Sequence, residues 1–162
     1  MQTTEREHAK QRFLDFLAGK GFRVTTQRRA IVEAVFATNE HFTADQLHEW
    51  ARQRDPSVSR ATVYRALPLL VESGLVREMD FGGDRKIYDP NYAVHPEHSH
   101  LVCADCGRII EFSSEQIARL QRQISREFGF TVISQRVQII GRCEQLRRTG
   151  HCPHRAGGAE KE

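Results

Sequence analysis

Cys103 and Cys106 stand two residues apart in a short turn, Ala104-Asp105, and that turn is flanked by the apolar runs Leu101-Val102 and Ile109-Ile110. Apolar runs around so tight a knuckle read as two adjacent strands. The turn brings both sulfurs to one side, where they can reach one tetrahedral metal ion, and Cys143 and Cys152 supply a second pair. Four thiolates make a closed zinc site, which adds metal-binding energy to folding and leaves no open coordination position for catalysis. A thioredoxin-like dithiol would need a βαβ context that this segment lacks, and buried free cysteines are the bland alternative. Downstream, Ser113-x-x-Gln116 can cap a helix whose apolar stripe is Ile117, Leu120, Ile124 and Phe128. Thr131 to Ile140 is β-rich, with Ile133, Val137 and Ile139 on one face. A module of about fifty residues buries little core by itself, so it needs a metal, a partner subunit or both.

The first ninety or so residues follow a different pattern, of short helices and then a hairpin. Ala9, Phe13, Phe16 and Leu17 form an amphipathic segment that Gly19-Lys20-Gly21 interrupts. Thr26 can cap a helix carrying Ile31, Ala34 and Val35, and Thr43-x-x-Gln46 has the form of a capping box ahead of Leu47, Trp50 and Ala51. Pro56 and Ser57 end that helix. Ser59 opens a fourth, with Val63, Leu67 and Leu70 inward, Pro68 within it and Gly74 at its end. Two strands, Leu75–Phe81 and Arg85–Tyr88, then flank the turn Gly82-Gly83-Asp84. A helix-turn-helix followed by a β-hairpin reads as a winged helix. Arg60, Thr62, Tyr64 and Arg65 point outward near the start of the fourth helix, where Arg can grip a phosphate or a guanine edge while Thr and Tyr contact bases. An ordinary solvated helix face is the alternative. The expected architecture is α+β, divided into 1–90, a Pro-containing hinge at 91–97, a second domain at 98–153 and a disordered tail at 154–162.

A second cluster precedes the knuckle. His98 and His100, two apart on a strand, present both imidazoles on one face. Chance surface histidines are the competing reading. His95, Glu97, Asp89 and Glu111 lie nearby in sequence or across the knuckle, and mixed imidazole and carboxylate ligands suit iron(II), manganese(II) or zinc(II). The net charge of +3 permits nucleic-acid binding without arguing for it. No apolar run approaches the roughly 20 residues that span a bilayer, and Met1 to Arg12 is polar where a signal peptide would be apolar, so the expected location is the cytoplasm.

Gly21-Phe22-Arg23-Val24-Thr25 leading to Gln27-Arg28, then Ala61-Thr62-Val63-Tyr64-Arg65, then His98-x-His100-Leu101-Val102-Cys103-x-x-Cys106-Gly107 and Ile110-Glu111-Phe112 run over nearly the whole chain. Read together they strongly resemble the ferric-uptake-regulator family. The resemblance implies a cytoplasmic, metal-responsive repressor that acts as a homodimer on double-stranded operator DNA, with no membrane partner and no small-molecule substrate. It implies an N-terminal winged-helix DNA-binding domain, contacting DNA through Arg23, Arg28, Arg60, Thr62, Tyr64 and Arg65, and a small C-terminal α/β dimerisation domain. Structural zinc would sit at Cys103, Cys106, Cys143 and Cys152. A regulatory iron(II), manganese(II) or zinc(II) would sit at the joint, held by His41, Asp89, His98, His100 and Glu111. One ion taking ligands from both domains can bias how they sit, which is what coupling requires.

The chain departs from the family pattern in places. A further site in the dimerisation domain would align with Glu97, Ser99, Ala118 and Gln135, which do not form a ligand set. Cys143 and Cys152 are more widely spaced than is usual, so His151 or His154 could take the last zinc position. Asp89 stands where iron-sensing members often have Glu, as in the peroxide-sensing branch. Zinc sensors often use a cysteine near the hinge, and all the cysteines here are already assigned. The leading expectation is iron-dependent control of metal-uptake genes, with peroxide or zinc sensing as the alternatives. An enzyme is not expected: His95-x-Glu97 with Cys103-x-x-Cys106 faintly resembles zinc deaminases, but their signature has Pro before the first Cys and a longer gap.

Overall fold

Local capping chemistry sets most of the helix starts in this computed structural model, which describes residues 3–80, 86–90 and 98–151. The chain divides into two compact units, Met1–Pro96 and Glu97–Glu162. In the first, helix α1 spans Thr3–Gly19. It ends in a Schellman motif, in which Gly21 N–H donates to Ala18 O and Phe22 N–H to Leu17 O, both at 2.9 Å. Gly21 sits at φ 74°, a left-handed conformation that glycine adopts without steric cost.

Helix α2 spans Thr26–Phe36, and its cap is Thr25, whose side chain accepts from Arg28 N–H. The sequence pattern points to Thr26 as the cap. That residue is already helical, and Thr25, with extended backbone, is the one whose oxygen reaches the free N–H. Helix α3, Ala44–Arg54, starts with the expected capping box between Thr43 and Gln46. Helix α4, Arg60–Glu72, is capped by Ser59 and holds Pro68 within it.

Strands β1 (Arg77–Met79) and β2 (Ile87–Asp89) pair antiparallel, Arg77 opposite Asp89 and Met79 opposite Ile87. β1 starts two residues later than expected, at Arg77, and β2 runs one residue further, to Asp89, while the glycine turn between them lies outside the described residues. On its other side β2 takes a bridge from Phe42, whose N–H and O both bond Tyr88. Phe13 and Leu17 of α1, Ile31, Val35 and Phe36 of α2, Leu47 of α3 and Val63, Leu67 and Leu70 of α4 fill one core.

The second unit contains β3 (Ser99–Cys103), β4 (Ile109–Phe112), helix α5 (Glu115–Glu127), β5 (Gln138–Gly141) and helix α6 (Glu144–Thr149). Its sheet runs β4-β3-β5, with β3 antiparallel to β4 and parallel to β5. The cap of α5 is Ser114 rather than Ser113, because the helix begins at Glu115 and the free N–H in range belongs to Ile117. The β-rich stretch from Thr131 forms a strand only at Gln138–Gly141, and Ile133 is 99% exposed instead of sharing a face with Ile139. Strand propensity without a ladder partner gave no strand there. Among the described residues of this unit, Val102 is the only buried hydrophobic, while Leu120 and Ile124 of α5 and its C-cap Phe128 are exposed. The apolar stripe read from the sequence therefore exists but is not covered within this unit. Among the described residues, no helix is long and apolar enough to cross a membrane.

Candidate metal centre and nucleic-acid interface

The turn between α3 and α4 is fixed by one carboxylate. Asp55 Oδ1 accepts from the Ser57 N–H at 2.9 Å and from the Ser57 hydroxyl at 2.6 Å, and these bonds hold its carboxyl below the ordinary range. Gln27 Nε2 donates to the same Ser57 hydroxyl at 3.0 Å, linking the start of α2 to the turn. Helix α4 then presents Tyr64, 57% exposed, and the exposed Arg65, whose Nε donates to Ala61 O. Arg60 is also exposed and pairs with Asp45 at 3.0 Å. Thr62 is half-buried, its hydroxyl 2.9 Å from that of Ser59, so it serves the cap as well as the surface. Arg23 is exposed. Arg28 is half-buried, donates to Arg23 O and lies over the Phe22 ring.

Two sets of possible metal ligands are present, one in each unit. In the first, the Phe42–Tyr88 bridge sets His41 opposite Asp89, with Nε2 and Oδ1 4.0 Å apart and Asp89 fully buried. In the second, His100 on β3 lies opposite Glu111 on β4, and His98 immediately precedes the strand. His98 Nε2 is 3.9 Å from Glu111 Oε1, and the two imidazole rings are 4.6 Å apart at 75°. One ligand atom from each of His98, His100 and Glu111 falls within 4.8 Å of the others, a grouping that could hold a metal ion. Both histidines are buried, and with the carboxylate their imidazole nitrogens make a donor set suited to a divalent first-row metal.

Cys103 closes β3 and Cys106 follows in the turn, where Gly107, at φ 73°, returns its N–H to Cys103 O. Backbone N–H groups of Cys106 and Asp105 lower the Cys103 thiol pKa, favouring the thiolate, the form of a cysteine that can ligate a metal. Cys143 is the N-cap of α6, its Sγ accepting from Leu146 N–H at 3.4 Å. Cys103, Cys106 and Cys143 are unbridged and line one cleft of about 270 Å³. Cys152, His95, Glu97 and His154 lie outside the described residues, and His151 is exposed.

Helix α6 is not evident from the sequence pattern, although Gly150 after it, left-handed at φ 72°, is a helix-end signal that could have located it. Also illegible were the local Asp55–Ser57 turn and two bonds between residues far apart in sequence, Gln27 to Ser57 and Cys143 N–H to Asp105.

The model of the ferric uptake regulator family matches residues 19–140. A "Ferric uptake regulation protein" of Campylobacter jejuni is 34% identical, over 88% of this chain and 91% of its own length. A "Peroxide operon regulator" of Bacillus subtilis is 33% identical, over 87% of this chain and 95% of its own. Among solved structures, a ferric uptake regulator from Francisella tularensis with iron superposes with a TM-score of 0.69 at 29% identity, over 78% of this chain and 96% of that one. The α+β arrangement, an N-terminal DNA-binding domain of winged-helix type followed by a small α/β dimerisation domain, is the one these regulators share. On the match of sequence and fold together, the chain belongs to the ferric uptake regulator family.

Proposed function

We propose that this chain is a cytoplasmic, metal-responsive repressor that binds double-stranded operator DNA as a homodimer and controls metal-uptake genes in response to iron(II). The observation that carries this reading is the pair of ligand sets, His41 with Asp89 and His98 with His100 and Glu111. They belong to different units of one chain, so a single ion drawing on both couples metal binding to domain arrangement. Such an ion shifts DNA binding only by its differential affinity for the DNA-competent arrangement. The first unit, over 1–90, reads DNA through Arg23, Arg28, Arg60, Thr62, Tyr64 and Arg65. Residues 91–97 act as the hinge. The second, over 98–153, carries structural zinc on Cys103, Cys106, Cys143 and Cys152 and dimerises, covering the exposed face of α5.

A peroxide-sensing reading has one observation in its favour: Asp89, rather than Glu, is the carboxylate opposite His41. Operator binding by zinc-loaded protein, titrated separately with iron(II), manganese(II) and additional zinc(II), tests the proposal. Iron(II) is expected to tighten binding about 5- to 150-fold, the usual span of such couplings. Affinity that ignores all three metals would contradict it. Loss of the iron(II) response after mild peroxide treatment would select the second reading.

A further inference from the structure

We propose that Asp105 is a positioning residue of the cysteine site, one that seats Cys143 against the Cys103–Cys106 turn without itself being a ligand. This rests on the reading of those cysteines as ligands of a structural zinc ion. The parallel ladder between β3 and β5 ends at Cys103 opposite Gly141, and Ala104 N–H still reaches Gly141 O at 2.8 Å. Beyond that point the ladder offers nothing to hold Cys143. Asp105 does: its Oδ2 accepts from Cys143 N–H at 2.8 Å, a bond between residues 38 apart in sequence.

A carboxylate is an acceptor only, so a backbone N–H is its natural partner, and the charge strengthens the bond. The anchored residue is the N-cap of α6, with Sγ accepting from Leu146 N–H. Asp105 thereby fixes both where the third thiol stands and where the helix behind it begins. Its place between the knuckle cysteines ties that anchor to the Cys103–Cys106 turn. Losing the anchor frees Cys143 to swing away, which opens the site to a competing chelator while the other thiols still hold the ion.

The test uses full-length dimeric protein carrying its zinc, with Asp105→Ala and Asp105→Asn beside the parent. Zinc release to excess chelator is timed, and the thiolate-to-cobalt charge-transfer band is recorded after exchange with cobalt(II). Asp105→Ala is expected to release zinc about tenfold faster, the scale of one lost charge-assisted bond, and to show a weaker band. Asp105→Asn keeps an acceptor oxygen and should stay within about threefold of the parent. Should Asp105→Ala not fold, Asp105→Glu, with the carboxylate one methylene displaced, takes its place and should release zinc faster than Asp105→Asn. Parent-like release and band in the Ala or Glu variant would overturn the proposal. So would an Asn variant as leaky as Ala, since charge or ligation rather than hydrogen-bonded positioning would then be at work. A folded parent with no cysteine-bound zinc would overturn the underlying reading instead.

Discussion

Replacing Cys103 by Ser removes one thiolate from the second unit, and the structure sets the size of the effect. Among the described residues of that unit only Val102 is a buried hydrophobic, and fully burying one such side chain contributes about 1.5–3 kcal/mol. Structural zinc contributes on the order of 10 kcal/mol in small zinc peptides. A zinc ion held by the cysteines would therefore contribute more than that one buried side chain. In the proposed dimer the partner covers α5, whose C-cap Phe128 is 75% exposed, and only a folded unit can recruit it. Zinc content, dimerisation and the fold of the second unit are expected to fall together. The first unit has its own core and should survive. Trp50, the only tryptophan, packs edge-on to Phe42 in that unit and reports on it alone. The assay pairs Trp50 fluorescence with circular dichroism and sedimentation of parent and Cys103→Ser protein. Native Trp50 emission with lost dimerisation and reduced far-ultraviolet signal is the predicted result. A zinc-free variant as dimeric and as stable as the parent would refute the reasoning.

Two further outcomes follow from the DNA-facing half. Tyr64→Ala with Arg65→Ala should weaken operator binding by about 1–3 kcal/mol per lost base contact while leaving zinc content and fold unchanged, because both side chains are exposed; unchanged affinity in an anisotropy titration would move the DNA surface elsewhere. In a carbon-detected NMR titration, Ser57→Ala should return the depressed Asp55 carboxyl toward its ordinary pKa. The sign is that of a lowered folded-state value: the stabilising bonds are present above the unfolded-state pKa and fade as pH falls through the folded one.

What the sequence made legible is what local chemistry decides. The capping box at Thr43 and Gln46, the Ser59 cap and the glycine-terminated α1 need only residues within one or two turns, and each is present as read. The errors at Thr26 and Ser113 are one-residue slips between adjacent hydroxyls, where only backbone conformation selects the cap. Ile133 misleads because apolar residues with strand propensity look the same whether or not a neighbouring strand exists to pair with them. The knuckle and the placing of His98 and His100 beside Glu111 follow from a short β-hairpin. His41 opposite Asp89 came only through family resemblance, since no periodicity signals that residues so far apart share a register. The Asp105–Cys143 bond was illegible for the same reason.

The central claim is that His98 and His100 belong to a sensing site separate from the cysteine zinc, and the most direct measurement compares parent with His98→Ala, His100→Ala protein. Operator affinity is followed as iron(II) is added to zinc-loaded protein, with cysteine-bound zinc counted in parallel. The account predicts one retained zinc per subunit, an intact dimer and weak, salt-sensitive nonspecific DNA binding, with the iron(II) response lost. A variant that still answers iron(II), manganese(II) and zinc(II) as the parent does would contradict it.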